Sequence, residues 1–197
     1  MNRTTWHRTL YTPLPASISP EHVTSLLQHH PALIHLSPLV TSCELQKSSS
    51  PSPSLPQDAK TYNIQERIPF VLGLGTTISF TASFTNVPSG IDTILHAPLG
   101  LVSKQQCRVL RTDDAKRDAA AGTSVGAVEG AYAAGEGGEV RDANGDEIGS
   151  EWVFREHVES EVAWALKWYV DSTLVKTRRE IAARMIDKVR QEGKSTA

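Results

Sequence analysis

The stretch TTISFTASFTNVPSGIDTILHAPLGL, residues 76–101, constrains the fold more than any other part of the chain. In an extended strand Ile78, Phe80, Ala82 and Phe84 fall on one face, and Thr77, Ser79, Thr81, Ser83 and Thr85 on the other. NVPSG then reverses the chain, with Gly90 available for a left-handed conformation, and IDTILHA returns beside the first strand. Pro98 and Gly100 mark a break or bulge before LVSKQQCRVLR. An antiparallel sheet with one apolar face must bury that face on another element.

The covering element lies near the C-terminus. From Ser160 onward Val162, Leu166, Val170, Leu174, Thr177, Ile181, Met185 and Val189 are spaced by fours and a single three. That period predicts a helix of roughly thirty residues, with Leu166 and Leu174 facing the sheet. Earlier, RTTWHRTLY reads as a strand ended by Pro13 and Pro15. In SPEHVTSLLQHH, Ser19 is a good N-cap and Val23, Leu26, Leu27 and His30 share a face, with Pro31 stopping the helix. ALIHLSP can make one more short turn. LVTSCELQ, TYNIQERIPFVL and SEWVFREHVE supply further strands.

The chain reads as a single domain over residues 1–197 with two segments that carry little core. Residues 48–58 are rich in Pro and Ser, and 112–149 in Ala, Gly and Asp; both are expected to be flexible. Twenty basic against twenty-two acidic residues give a net charge of −2, which supplies no attraction for nucleic acid or an anionic membrane. No apolar run is long enough to span a bilayer, and the N-terminus lacks a signal-peptide core. Cys43 and Cys107 are too few for a disulfide framework and read as reduced thiols. The expectation is a soluble cytoplasmic protein.

Signature motifs are missing or incomplete. DANGDE has calcium-loop spacing, but its glycine is two positions early and Val153 stands at the twelfth position. GLG lacks a third glycine, and GxxxxGK[ST], HExxH and GxSxG do not occur. His22, His29, His30 and His35 have no acidic or cysteine partners at ligand spacing, so they read as surface or helix-end residues, and no metal or cofactor is expected. More informative are charges at positions that alternation places inside. Glu66 shares parity with Tyr62, Ile64 and Ile68; Glu156 with Trp152, Phe154 and Val158; and Arg8 with Trp6 and Leu10. An inward carboxylate needs a partner or a raised pKa, unless a bulge turns it outward.

TLYTPLPASIS, HLSPLV, SFTASFTNVPSGIDTILHAPLGL and the long stretch from FREHVESEV to RMID, in this order, resemble an uncharacterised fungal family of the START-like superfamily. That superfamily has the helix-grip fold and includes lipid-transfer proteins, plant allergens and polyketide cyclases. The resemblance implies an α+β fold, with a curved antiparallel sheet of about six or seven strands wrapped on a long C-terminal helix. It also implies a cavity between them, and it supplies no catalytic motif. Cys107 stands where an aromatic is expected near the end of the sixth strand. The wall of such a cavity would draw on Trp6, Arg8, Phe80, Phe84, His96, Trp152, Phe154, Trp164 and Trp168.

Three functions fit. The chain could bind a hydrophobic small molecule such as a lipid, sterol or polyketide. It could be a cyclase or isomerase of fungal secondary metabolism, with Glu66, Glu156 or His96 as acid or base. Or it could be a scaffold with a filled core. In a helix-grip sheet the first strand lies beside the last, so Arg8 is expected to pair with Glu156. His96, next to the Ala97-Pro98 break, is expected on the cavity's rim.

Overall fold

The computed structural model describes residues 3–46, 56, 58–69, 75–121, 150–163 and 167–195; within these, the side chains of Trp6, Pro69 and residues 120–121, 167–176 and 193–195 are not described. β1 (Arg3–Pro13) leads into two short helices, α1 (Pro20–Gln28) and α2 (His30–Ile34). β2 (Val40–Leu45), β3 (Lys60–Pro69), β4 (Gly75–Val87), β5 (Gly90–His96) and β6 (Val102–Arg111) follow. Then come α3 (Thr112–Ala121), β7 (Trp152–Ala163) and α4 (Lys167–Ser195).

The strands form one antiparallel sheet in the order β1-β7-β6-β5-β4-β3-β2, so the first strand lies beside the last. This is the helix-grip arrangement: a curved sheet closed on its C-terminal helix. Residues directly opposite one another in antiparallel strands share a face. Inward rows therefore run across the sheet, such as Leu10, Glu156, Cys107 and Ile91, and beside it Val158, Gln105, Thr93 and Phe84. Ala182, Met185 and Val189 of α4 and Val23, Leu26 and Leu27 of α1 pack in one cluster with Ile64, Ala82, Phe84 and Phe154. At about 25 cal/mol per Å2 of apolar surface removed from water, this cluster is the main source of stability.

Period two persists further along β7 than the helical spacing suggests. Val158, Ser160 and Val162 alternate into the core, so Val162 belongs to the strand and not to α4 (Lys167–Ser195). The expected inward placement of Leu166 and Leu174 lies outside the described side chains. On α4 the stripe is carried by Ile181, Met185 and Val189.

The segment expected to be irregular from 112 onward begins instead with α3. Asp113 and Asp114 complement the dipole of its first turn, and the Ala-rich run favours helix. α3 covers the outer face of the sheet, where fully buried Ala115 packs with Tyr11 and Val153, and Asp118 pairs with Arg155. The rest of that segment, 122–149, and most of the Pro/Ser stretch at 48–58 lie outside the described residues.

Ser19 caps α1 as expected, its hydroxyl accepting from the His22 amide at 3.3 Å. Pro31 does not end the helical region. It sits in the first turn of α2, where its missing amide donor costs nothing, and His29 links the two helices. His30 consequently turns inward and is a core residue, not a surface one. Its ring stacks on Phe84 at 5.1 Å and meets Tyr62 edge-on at 5.7 Å. Its Nε2 lies 2.8 Å from Asn86 Oδ1, so with the amide oxygen accepting, the ring carries its proton there.

Burial lowers the pKa of His30, with the Asn86 hydrogen bond opposing. A histidine depressed in the folded state leaves stability intact above the unfolded value of about 6.5 and loses it as pH falls below that. His157, also depressed by burial, acts with the same sign. Thermal melts from pH 7.5 to 5 should therefore show a shallower loss of stability for His30→Phe than for the parent. Parallel curves would mean that His30 does not titrate differently on unfolding.

Candidate functional site

Between the inner face of the sheet and α4 lies a cavity of about 110 Å3. Its wall is mostly apolar, with Leu27, Ile34, Ile64, Phe80, Phe84 and Met185 among its residues. The lining positions follow from alternation: Phe80, Ala82 and Phe84 are inward residues of β4, and Phe154 and Glu156 are the inward residues of β7 that reach the cavity. Into this wall Ser37, Glu66, Thr93, Gln105, Glu156 and Arg178 bring polar groups.

Glu156 is the most deeply placed. It is 4 % exposed, and its Oε1 accepts from Arg178 Nη1 at 2.8 Å. Burial pushes its carboxyl up, and the attraction and hydrogen bond of Arg178 pull it back. Glu66 sits at the β2–β3 edge, where the ladder shifts register between Val40 and Ser42. This bulge puts two residues opposite one and bends the strand locally. Its Oε1 accepts from the Ser37 hydroxyl at 3.0 Å. Burial raises its carboxyl too, against lowering by Ser37 and by the Arg178 charge. Arg178 is thus bound to Glu156 and acts on Glu66 through its charge.

Cys107 stands beside Glu156 in the same inward row and lines the cavity. Burial raises its thiol far above the ordinary range, which leaves it protonated and a poor nucleophile. Among the described residues no group of His, Cys, Asp and Glu is arranged to hold a metal.

The structure brings Glu66, Glu156, Phe80, Phe84 and Phe154 together in the cavity. His96 does not join them. Leu95 takes the inward position, so His96 is exposed, opposite Thr81 on the outer face. The strand stops there because Pro98–Gly100 makes a tight 3-10 turn into β6, with Leu99 at φ 61°, and not because it forms a rim. Trp152 is half-buried against the core without lining the cavity, and the Arg111 guanidinium lies 5.2 Å from its ring centre. Trp164 and the side chains of Trp6 and Trp168 lie outside the described residues.

Arg8 is on the inner face as its parity requires, but its neighbour across the ladder is Val158, and Leu10 is the one opposite Glu156. Arg178, reaching from α4, is the partner of Glu156 in place of Arg8. The pattern held a signal for Arg178: it precedes Ile181 by three and Met185 by seven, which places it on the same helix face. Gln105 likewise shares parity with Ser103, Cys107 and Val109, all buried.

No curated protein matches this sequence. Several solved structures resemble it in shape. Ara h 8.0201 is 8 % identical with a TM-score of 0.49, the match covering 95 % of this chain and 98 % of that one. The Zhui aromatase/cyclase from Streptomyces sp. R1128 is 10 % identical with a TM-score of 0.44, covering 98 % and 94 %. TTHA0849 from Thermus thermophilus is 10 % identical with a TM-score of 0.42, covering 100 % and 99 %. These are likenesses of shape; the strand order and the helix described above carry the fold assignment. At the level of sequence a family model matches residues 2–191, and the chain belongs to that family, described as Domain of unknown function (DUF7053).

Proposed function

We propose that this protein binds a hydrophobic small molecule in the cavity between the sheet and α4. The observation that supports this is the cavity's composition: an apolar wall into which a few polar groups converge, at the interface of the two layers of the fold. At about 110 Å3 it takes a ring-sized group whole, or one end of a larger lipid, sterol or polyketide-like molecule.

A second reading has its own support in Glu66. A half-buried carboxyl with a raised pKa, reachable from an apolar cavity, is suited to take and return a proton. On that reading the protein is a cyclase or isomerase of fungal secondary metabolism, and Glu66 rather than His96 is the acid or base.

Native mass spectrometry of the purified protein tests the binding reading. The expected result is a non-covalent small-molecule adduct, or uptake of added toluene, lost in Ala82→Leu, which fills the cavity. A folded parent that carries no adduct and takes up no toluene would support a filled-core scaffold instead.

A further inference from the structure

The charge balance inside the cavity bears on which molecules it can accept. Arg178 is the cation among its described lining residues, and it is already bound to Glu156 at 2.8 Å. Glu66 lies in the same cavity and attracts the same guanidinium. With both carboxylates ionised the cavity carries one negative charge in excess. A ligand carboxylate would add another in a poorly solvated space, where an uncompensated charge is strongly disfavoured.

A ligand hydroxyl faces no such barrier. Glu66 receives a hydrogen bond at Oε1 from Ser37. A carboxylate offers about four lone-pair positions, so acceptor capacity remains for a donor entering the cavity. Thr93 and Gln105, each less than a tenth exposed, add a hydroxyl and an amide to the lining. The volume limits the buried part of the ligand to about the size of a single ring.

Resting on the binding reading above, we propose that the cavity selects a neutral, ring-sized group carrying a hydroxyl that donates to Glu66, and that it excludes carboxylates. Phenols and alicyclic alcohols belong to this class; fatty acids and aromatic acids do not.

Three probes of similar shape separate the parts of this inference: toluene, phenol and benzoate, titrated at pH 7 by ligand-observed NMR. Phenol is neutral there, with a pKa near that of the tyrosine side chain, about 10. A hydrogen bond to a charged acceptor is worth about tenfold or more in affinity. The parent should bind phenol about tenfold more tightly than toluene, and benzoate more weakly than either. Glu66→Gln should still bind toluene and should narrow the gap between phenol and benzoate. Benzoate bound as tightly as phenol by the parent would overturn the exclusion of acids. Phenol bound no better than toluene would overturn the role of Glu66 as acceptor. Failure of all three probes to bind the folded parent would instead overturn the binding reading on which the inference rests.

Discussion

Gly90→Ala should abolish cooperative folding, or lower stability by about 4 kcal/mol or more, which is the range reached only by severe core or backbone conflicts. Gly90 closes the turn between β4 and β5 with φ 157°, a conformation that side chains rarely adopt. A Cβ there would lie 2.0 Å from the Cys107 carbonyl oxygen and 2.9 Å from its carbon. Those atoms are backbone in β6, the strand that also carries Gln105 into the cavity, so relief requires the ladder itself to part. Gly75→Ala is the natural comparison, since its nearest contact is the flexible Arg67 side chain at 3.1 Å. It should cost no more than about 1 kcal/mol. Urea titrations of both variants check the pair, and equal midpoints would mean that the β4–β5 turn can relax.

The second large effect is expected at Arg178. Arg178→Met removes the partner of a carboxylate that is 4 % exposed, and breaking a buried pair from one side costs about 3–5 kcal/mol. Glu156 would then escape by taking a proton. Its folded pKa, already raised by burial, would rise further once the guanidinium is gone. A group with a raised folded pKa binds more protons folded than unfolded, so the variant should regain stability as pH falls from 7 toward the unfolded carboxyl value of about 4.3. Replacing both partners, as in Glu156→Leu with Arg178→Met, should recover most of the loss even at pH 7. Denaturant melts at pH 7 and 5 measure both. A single variant as stable as the parent at pH 7 would show that the pair contributes no net stabilisation.

These two positions differ in how visible they are in the sequence. Gly90 can be picked out because NVPSG between two alternating runs demands a turn residue with unusual φ. Glu66 and Glu156 can be found because strand parity holds along an unbroken strand: a side chain two residues from Ile64 or Phe154 points the same way. Arg178 is harder. On a helix it and Arg179 are separated by about 100° of rotation, and only the spacing of Arg178 to Ile181 and Met185 marks which one shares their inward face. His30 is hidden for a related reason. Proline after it signals a helix end, yet the same residue suits the start of the next helix, and the fold uses it that way. His96 illustrates the opposite failure, in which nearness to a chain break outweighs the parity of Leu95.

Thr112 bears on how this family could vary. Its amide donates to the Glu151 carbonyl at 2.9 Å and its hydroxyl to that of Ser150, so the two ends of the excursion from 113 to 149 are clasped together. What lies between starts from α3, on the side of the sheet away from the cavity. For a chain whose ends are already pinned, halving or doubling the length changes the closure entropy by only about 0.6 kcal/mol. The clasp therefore predicts a port in the architecture: chain added or removed beyond α3 should leave the compartment behind the sheet with its shape.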